Sequence, residues 1–412
     1  MQALVLAAGE GKRLKPLTST IPKALLPVCG RPFIEHIILA LKNAGIKDIG
    51  IVIGWRNEEI VDFLGNGKKY SVKIDYIHQE ALLGTADAIS CGRDWVKDRF
   101  ICLNGDIVLF KNTISELLNF SKKYKQKNLV VLAKSSCPQE YGVAKIDKNN
   151  RILEITEKPE KPKTNLVNAG IYIFNNEIFD YIDRIESSIR GEYEITDALR
   201  ELIEEDKLYG YLQKGPWVDV AKPWDLLKAN EILMPVFLKN GKNDGIIEKN
   251  TRISKTAIIG KGTLIKSGAY IEGFVHIGEN CEIGPNCYIK GNSSIGNNCK
   301  IGNAVEIKNS IIMNNVKILH LAYIGDSIIG NGCNFGAGTK IANLRFDNKN
   351  VFATMRGKKI DTGRRKLGAI MGDNVRTGIN SMIDAGTIVC ERTYIGPGAF
   401  VSGYIEARSR VG

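Results

Sequence analysis

The sequence holds nine cysteines but no C-x-x-C pair, which argues against a zinc site or a disulfide framework and for reduced thiols in a cytosol. No apolar run approaches the length needed to span a membrane. No secretory leader is expected, because the apolar N-terminal stretch Ala3–Ala8 runs straight into charge. No segment interleaves basic residues with aromatics. The formal net charge of +12 therefore points to small anions such as nucleotides, sugar phosphates and coenzyme A, and not to nucleic acid. Histidine is scarce, with four in 412 residues. What remains is an ordinary globular composition, 44% hydrophobic and 25% charged, in a chain long enough for two domains that each bury a core.

The first 225 residues alternate strand and helix patterns. Apolar runs at Ala3–Ala8, Ile49–Ile53, Val72–Ile77, Phe100–Leu103 and Leu129–Ala133 read as strands, and Phe33–Asn43, Glu58–Leu64, Ala86–Trp95 and Thr113–Tyr124 have helical spacing. This order predicts an α/β fold with a mostly parallel, doubly wound sheet and ligands at the C-terminal ends of its strands. The first strand ends at Gly9 and Gly11, followed by Lys12, Arg13, Lys15 and Lys23. Glycines let successive backbone N–H groups approach phosphate oxygens, and the cations supply balancing charge. A Gly-x-Gly alone also suits an ordinary strand-to-helix turn.

After the third strand comes Gln79-Glu-Ala-Leu-Leu-Gly84-Thr85-Ala. Its amide, hydroxyl and Gly backbone suit one edge of a pyrimidine, while Thr85 alone reads as a helix N-cap. Asp106 closes the fourth strand beside a glycine, a place suited to holding a hard cation through oxygen or to a simple turn. Asp219, just before the helix expected at Pro223–Asn230, is a second candidate. Gly142, Glu157 and Asn168 put hydrogen-bonding groups beside strands, as a sugar requires. The segment Glu192-Tyr-Glu-Ile-Thr-Asp197 receives no role.

An amphipathic helix over Trp224–Leu238, interrupted by Pro235, and a turn-rich stretch form a linker at 226–245. Beyond it isoleucines recur every six residues from Ile247 to Ile307. That period is a hexapeptide repeat and predicts a three-sided parallel β-helix over 246–412, one inward residue per side. Cys281, Cys287, Cys299 and Cys333, two places before an inward residue, are expected as core fillers. The repeat slips at Ile312, Ile318 and Ile324, and again at Ile329. It resumes at Met371, after a basic insertion at 345–368 that carries eight Lys/Arg against two Asp and is expected to protrude as a loop, either a solvated flap or a contact to phosphate. At the slip stands His320, amid aliphatics, in Lys317-Ile-Leu-His320-Leu-Ala-Tyr323-Ile-Gly-Asp326.

These strings together resemble two motif sets. Leu6 to Pro27 resembles the signature of the sugar-1-phosphate nucleotidyltransferases. The His320–Asp326 string, with Asn334-Phe-Gly-Ala-Gly-Thr339, Asn343, Glu306-Ile-Lys308 and Lys290, resembles the acetyltransferase half of the N-acetylglucosamine-1-phosphate uridyltransferase/glucosamine-1-phosphate acetyltransferase family. The resemblance implies a left-handed coil. It also implies nucleotide binding by Leu6, Gly9, Gly11, Gln79, Gly84 and Thr85, catalysis by Arg13 and Lys23, Mg²⁺ on Asp106 and Asp219, and a sugar pocket of Gly142, Glu157 and Asn168. In the second half it implies His320 as general base for an amine attacking a thioester. Lys290, Glu306, Lys308, Tyr323, Asn334 and Asn343 would hold the amino-sugar phosphate, and Ala337 would meet acetyl-CoA. The expected substrates are UTP or dTTP, sugar-1-phosphates and acetyl-CoA. The expected assembly is a cytoplasmic homotrimer, or a dimer of trimers, with no nucleic-acid or membrane partner. Two rival readings are a nucleotidyltransferase alone, with the β-helix as a trimerisation scaffold, and a non-catalytic regulatory subunit.

Overall fold

The computed structural model describes residues 1–110, 112–188, 191–215 and 217–412. The chain divides into two compact units. The first comprises Met1–Glu10, Pro22–Leu25 and Pro32–Asp219, and the second Gly11–Ile21, Leu26–Arg31 and Val220–Gly412.

The first unit is built on a nine-stranded sheet. Its strands are β1 (Gln2–Leu6), β2 (Asp48–Ile53), β3 (Lys73–His78), β4 (Phe100–Asn104), β5 (Asn128–Lys134), β6 (Gly142–Ile146), β7 (Ile152–Glu157), β8 (Leu166–Phe174) and β9 (Leu208–Leu212). The spatial order is β9-β5-β8-β4-β1-β2-β3, with β6 pairing β8 and forming a hairpin with β7. Pairs among β1, β2, β3 and β4 are parallel, as is β9 on β5, whereas β8 runs antiparallel between β4 and β5. Central parallel strands are covered on both faces and so read as unbroken apolar runs. Side-chain alternation sends Ala3 and Val5 to one core with Ile34 and Ile37 of α1 (Phe33–Asn43) and Ile60 of α2 (Asn57–Leu64), and Leu4 to another with Ile89 of α3 (Thr85–Ser90).

Helix α3 is shorter than the expected Ala86–Trp95. The backbone at Gly92 lies against Leu4, where a Cβ would come within 2.7 Å of its side chain, and the chain turns there instead of continuing the helix.

In the second unit the helix Asp225–Phe237 runs through Pro235, where an interruption was expected. Pro235 falls in the last turn, so the missing N–H costs one bond near an end that the Leu238 N–H to Met234 carbonyl contact already closes. The chain then winds into three parallel sheets of nine, nine and eight strands. Coils stack at eighteen residues, Ile259 on Ile277 on Ile295. They then stack at seventeen, Ile295 on Ile312 on Ile329, so the slip in sequence is one residue lost at a corner while inward side chains stay aligned. Across the insertion Ile329 stacks on Met371, Phe335 on Thr377 and Ile341 on Ile383. Cys281, Cys287, Cys299 and Cys333 are buried and free. Corners adopt positive φ, at Asn280, Asn286, Asn298 and Asn315 among others, because the short Asn side chain tolerates the left-handed region. One corner carries a ladder in which the side-chain oxygens of Asn314, Asn331 and Asp373 accept the backbone N–H of Asn297, Asn314 and Asn331 in turn.

The insertion is not a plain loop. It forms a hairpin of Phe352–Met355 with Lys358–Asp361, and buries Val351, Ala353 and Leu367. Its return limb bridges Lys366 to Leu344. In the same unit Gly30 (φ +79°) packs so closely on His276 that a Cβ would lie 2.2 Å from its ring, and Cys29 N–H donates to Asn230 at 2.7 Å.

Candidate active sites

In the first unit, β1 delivers Leu6 between Val52 and Asn104, at the C-terminal edge of the sheet. Gly9 follows, with open space where a Cβ would point. Lys23 Nζ lies 2.5 Å from Asp106 Oδ2, both side chains part-buried. Asp219 forms an antiparallel bridge with Ile107, the residue after Asp106. Asp219, distant in sequence, is thus brought beside the backbone that follows Asp106. Among the described residues no group of three or more His, Cys, Asp or Glu gathers as metal ligands. A pair of carboxylates nevertheless fits Mg²⁺, which keeps water and takes phosphate oxygens for the rest of its shell. The ammonium seated on Asp106 marks the same point as attractive to a cation.

Gln79 is buried, and its Nε2 donates to Asp87 Oδ2 at 2.6 Å. This fixes the amide with its oxygen as the remaining acceptor. The N-cap of α3 is Gly84, not Thr85, so the capping reading of Thr85 is corrected. Thr85 Oγ1 instead accepts the Ile195 N–H at 3.1 Å. Gly84 has φ +115°, and a Cβ there would strike the Tyr193 carbonyl at 2.6 Å. The otherwise unassigned segment 192–197 therefore has a structural partner: its Tyr193 backbone exchanges hydrogen bonds with Leu83 and Ala86, bracing the loop that carries Gly84 and Thr85.

Gly142, Glu157 and Asn168 come together. Gly142 pairs with Glu157 across the β6–β7 hairpin, and a Cβ on Gly142 would be 3.1 Å from Glu157 Oε2 and 3.5 Å from Asn168 Cβ. Asn168 Nδ2 donates to the Tyr172 hydroxyl at 2.8 Å, and burial pushes that phenol's pKa upward. Thr196, from the segment without an assigned role, is buried beside Gly142, where a Cβ would lie 3.2 Å from its methyl group. Gly11 and Arg13 lie on the segment that belongs to the second unit. Gly11 (φ +66°) opens a 3₁₀ turn over Lys12–Leu14, and Arg13 is exposed.

In the second unit, one sheet gathers most of the second set. Lys290, Lys308 and Gly325 are consecutive register partners, as are Tyr288, Glu306, Tyr323 and Lys340. Isoleucines between them point inward, so these side chains point out. Lys290 Nζ is 3.4 Å from Glu306 Oε1. Asn343 Nδ2 donates to Asp326 Oδ2 at 2.6 Å and to the Tyr323 hydroxyl at 3.2 Å. Asp326, 3% exposed, also accepts from Asn309 at 2.7 Å. Asp326 stood in the motif without a role; the structure makes it the brace of Asn343. Burial and the adjacent Lys366 ammonium hold the Lys308 amine's pKa below its usual value. Lys366 comes from the insertion, where only the charge excess hinted at a ligand role.

His320 is exposed at the end of the strand Lys317–His320, at the corner leading to this sheet. Asn334 is not with the others: it sits on the adjacent face between Lys317 and Arg376. Ala337 receives the Asn380 N–H at 2.8 Å on the following corner.

Comparison with known proteins agrees with this two-site layout. Residues 2–234 match the Nucleotidyl transferase family, and residues 271–406 match the family described as GMPPB C-terminal domain. The chain is 43% identical over 413 residues to the bifunctional protein GlmU of Methanococcus maripaludis strain C7, covering 100% of this chain and 97% of that protein. It is 41% identical over 402 residues to a bifunctional sugar-1-phosphate nucleotidylyltransferase/acetyltransferase of Sulfurisphaera tokodaii, covering 98% and 97%. A crystal structure of a putative glucose-1-phosphate thymidylyltransferase from Bacillus anthracis, in complex with a sucrose, superposes with a TM-score of 0.53 at 34% identity. It covers 56% of this chain and 94% of that one. The chain belongs to the GlmU family of bifunctional enzymes, with a nucleotidyltransferase and an acetyltransferase in one polypeptide.

Proposed function

We propose that the enzyme N-acetylates glucosamine-1-phosphate with acetyl-CoA and then transfers UMP from UTP to the product, releasing pyrophosphate and UDP-N-acetylglucosamine. The observation that carries this reading is the outward cluster of Lys290, Lys308 and Lys366 beside Tyr323 and Asn343. It offers one phosphate a cationic seat and a sugar ring a set of hydrogen-bonding partners.

At the acetyl site the amine of the sugar attacks the thioester carbonyl. The carbon–sulfur bond breaks, His320 takes the amine proton, and the departing sulfur is protonated as coenzyme A leaves. Glu306, Asn334 and Asn343 would complete the sugar contacts, and Ala337 would meet acetyl-CoA. Asn334, on the adjacent face, serves this purpose best in an assembly. Exposed Ile379, Met382 and Phe400, with Met382 and Phe400 in register on neighbouring coils, support a homotrimer or a dimer of trimers through the β-helix.

At the nucleotidyl site a sugar-phosphate oxygen attacks the α-phosphorus in line, and the bond to pyrophosphate breaks. No base is needed, because the attacking phosphate is already ionised. Arg13 and Lys23 neutralise the meeting anions, with Leu6, Gly9 and Gly11 backing the triphosphate. Asp106 and Asp219 would hold Mg²⁺, which when bound offsets phosphate charge. Gln79, with Nε2 held by Asp87, presents its oxygen to the imide N–H of uracil or thymine, and Gly84 and Thr85 flank the ring. Gly142, Glu157 and Asn168 take the sugar hydroxyls. No helix among the described residues is long and apolar enough to cross a membrane, and a cytoplasmic setting suits the nine free thiols.

The test is an end-point assay with Mg²⁺, glucosamine-1-phosphate, acetyl-CoA and UTP, reading free thiol and pyrophosphate separately. Release of both is expected. Pyrophosphate only from pre-acetylated sugar, with no thiol, would leave the β-helix as a scaffold.

A further inference from the structure

Within the second unit the segment Gly11–Ile21 is fastened to the coil by Thr20, whose Oγ1 donates to Asp373 Oδ2 at 2.8 Å. Asp373 is 8% exposed and ends the corner ladder, its Oδ1 accepting the Asn331 N–H at 2.7 Å. Preceding rungs are asparagines; here alone the rung is a carboxylate, with an acceptor at both side-chain atoms. Its Oδ2 accepts from Asn331 Nδ2 at 3.2 Å as well as from Thr20, so the carboxylate ties the segment to the ladder through one shared acceptor. A second contact lies alongside, where a Cβ on Gly372 would be 3.2 Å from Pro16 Cβ. The segment is compact: Thr18 Oγ1 donates to the Gly11 carbonyl at 2.8 Å, and two 3₁₀ turns, Lys12–Leu14 and Leu17–Ser19, fill it. A hold at Thr20 therefore fixes the backbone that carries Arg13.

We propose that Asp373 of the β-helix is a positioning residue for nucleotidyl transfer, acting through Thr20 on the loop that bears Arg13. This rests on the reading of Arg13 as a contact to the reacting phosphates. Neither Asp373 nor Thr20 touches substrate in this scheme. Their effect is to keep the guanidinium from having to be ordered anew in each turnover.

The experiment compares wild type, Thr20→Val and Thr20→Ser in the full chain, with thiol and pyrophosphate release measured on the same preparations. Valine keeps the shape and removes the donor; serine keeps the donor. Loss of one hydrogen bond to a charged acceptor is worth about tenfold. The expected result is a fall of about that size in kcat for pyrophosphate release with Thr20→Val, an unchanged KM for the sugar phosphate and unchanged thiol release. Thr20→Ser should behave as wild type. The proposal is overturned if Thr20→Val leaves pyrophosphate release intact, if both activities fall together, or if serine fails as valine does. A wild type that releases no pyrophosphate would instead sink the reading of the nucleotidyl site itself, and this inference with it.

Discussion

Asp219 pairs through its backbone with Ile107, the immediate neighbour of Asp106, so the end of the first unit's chain returns beside the turn that follows β4. Neither carboxylate alone would hold a divalent cation well. We expect EDTA to stop pyrophosphate release and leave thiol release untouched, with added Mg²⁺ restoring the former. Asp106→Asn should lower nucleotidyl transfer by about a hundredfold or more, since the metal's charge compensation is worth several kcal/mol. Equal inhibition of both reactions by EDTA would refute the assignment.

His320→Ala should cost about a hundredfold to ten-thousandfold in acetyl transfer, the usual worth of a positioned general base. Nucleotidyl transfer from pre-acetylated sugar should be unaffected. Acetyl transfer at the wild-type rate would remove His320 from the mechanism.

Lys366→Ala should raise the KM for the amino-sugar phosphate by about tenfold or more, in keeping with a lost charge-assisted contact, and the rise should shrink as salt is added. Lys366→Arg should restore part of the loss. An unchanged KM would return the insertion's return limb to a purely structural role.

His276 is half-buried, with its Nδ1 shut off from solvent and unpaired among the described residues, and desolvation, helped by nearby Arg31, lowers its pKa to about 4. The unfolded value is near 6.5, so between those limits the unfolded chain carries the extra proton. Stability present above pH 6.5 is therefore lost as the pH falls towards 4, by at most about 3 kcal/mol. We expect Tm to drop between pH 7 and pH 5, and to drop less in His276→Leu. Parallel profiles for the two proteins would exclude His276 as the cause.

Much of this was legible before any coordinates. The inward isoleucines announce themselves by period, because one apolar side chain must fill each side of each coil whatever the rest of the sequence does. The parallel strands β1, β2 and β4 are equally plain, being buried on both faces. Corners were harder. Asn280, Asn286 and Asn298 lie at the same six- and eighteen-residue spacing, but a polar residue that tolerates positive φ looks like any loop residue until the backbone is seen. Strand β8 and the β6–β7 hairpin carry no period that separates antiparallel from parallel pairing. The placing of Lys366 was hidden for another reason: it depends on the insertion folding back beside Lys308, a long-range contact with no local signature. Asn334 shows the converse: it shares a sheet with the strand that ends at His320, while Glu306, Lys308 and Tyr323 of the same motif set lie on the adjacent face.

Ile341 stacks on Ile383 as closely in register as Ile265 does on Ile283, although a hairpin's worth of chain intervenes. Vertical order in the coil is thus set by rung-to-rung pairing and is indifferent to how far the chain wanders between rungs. Lengthening a loop costs only about 0.6 kcal/mol per doubling. The exposed hairpin tip at Arg356 and Gly357 is consequently a natural grafting point: a foreign peptide inserted there should be displayed without disturbing the rungs on either side, because Val351 and Ala353 stay buried.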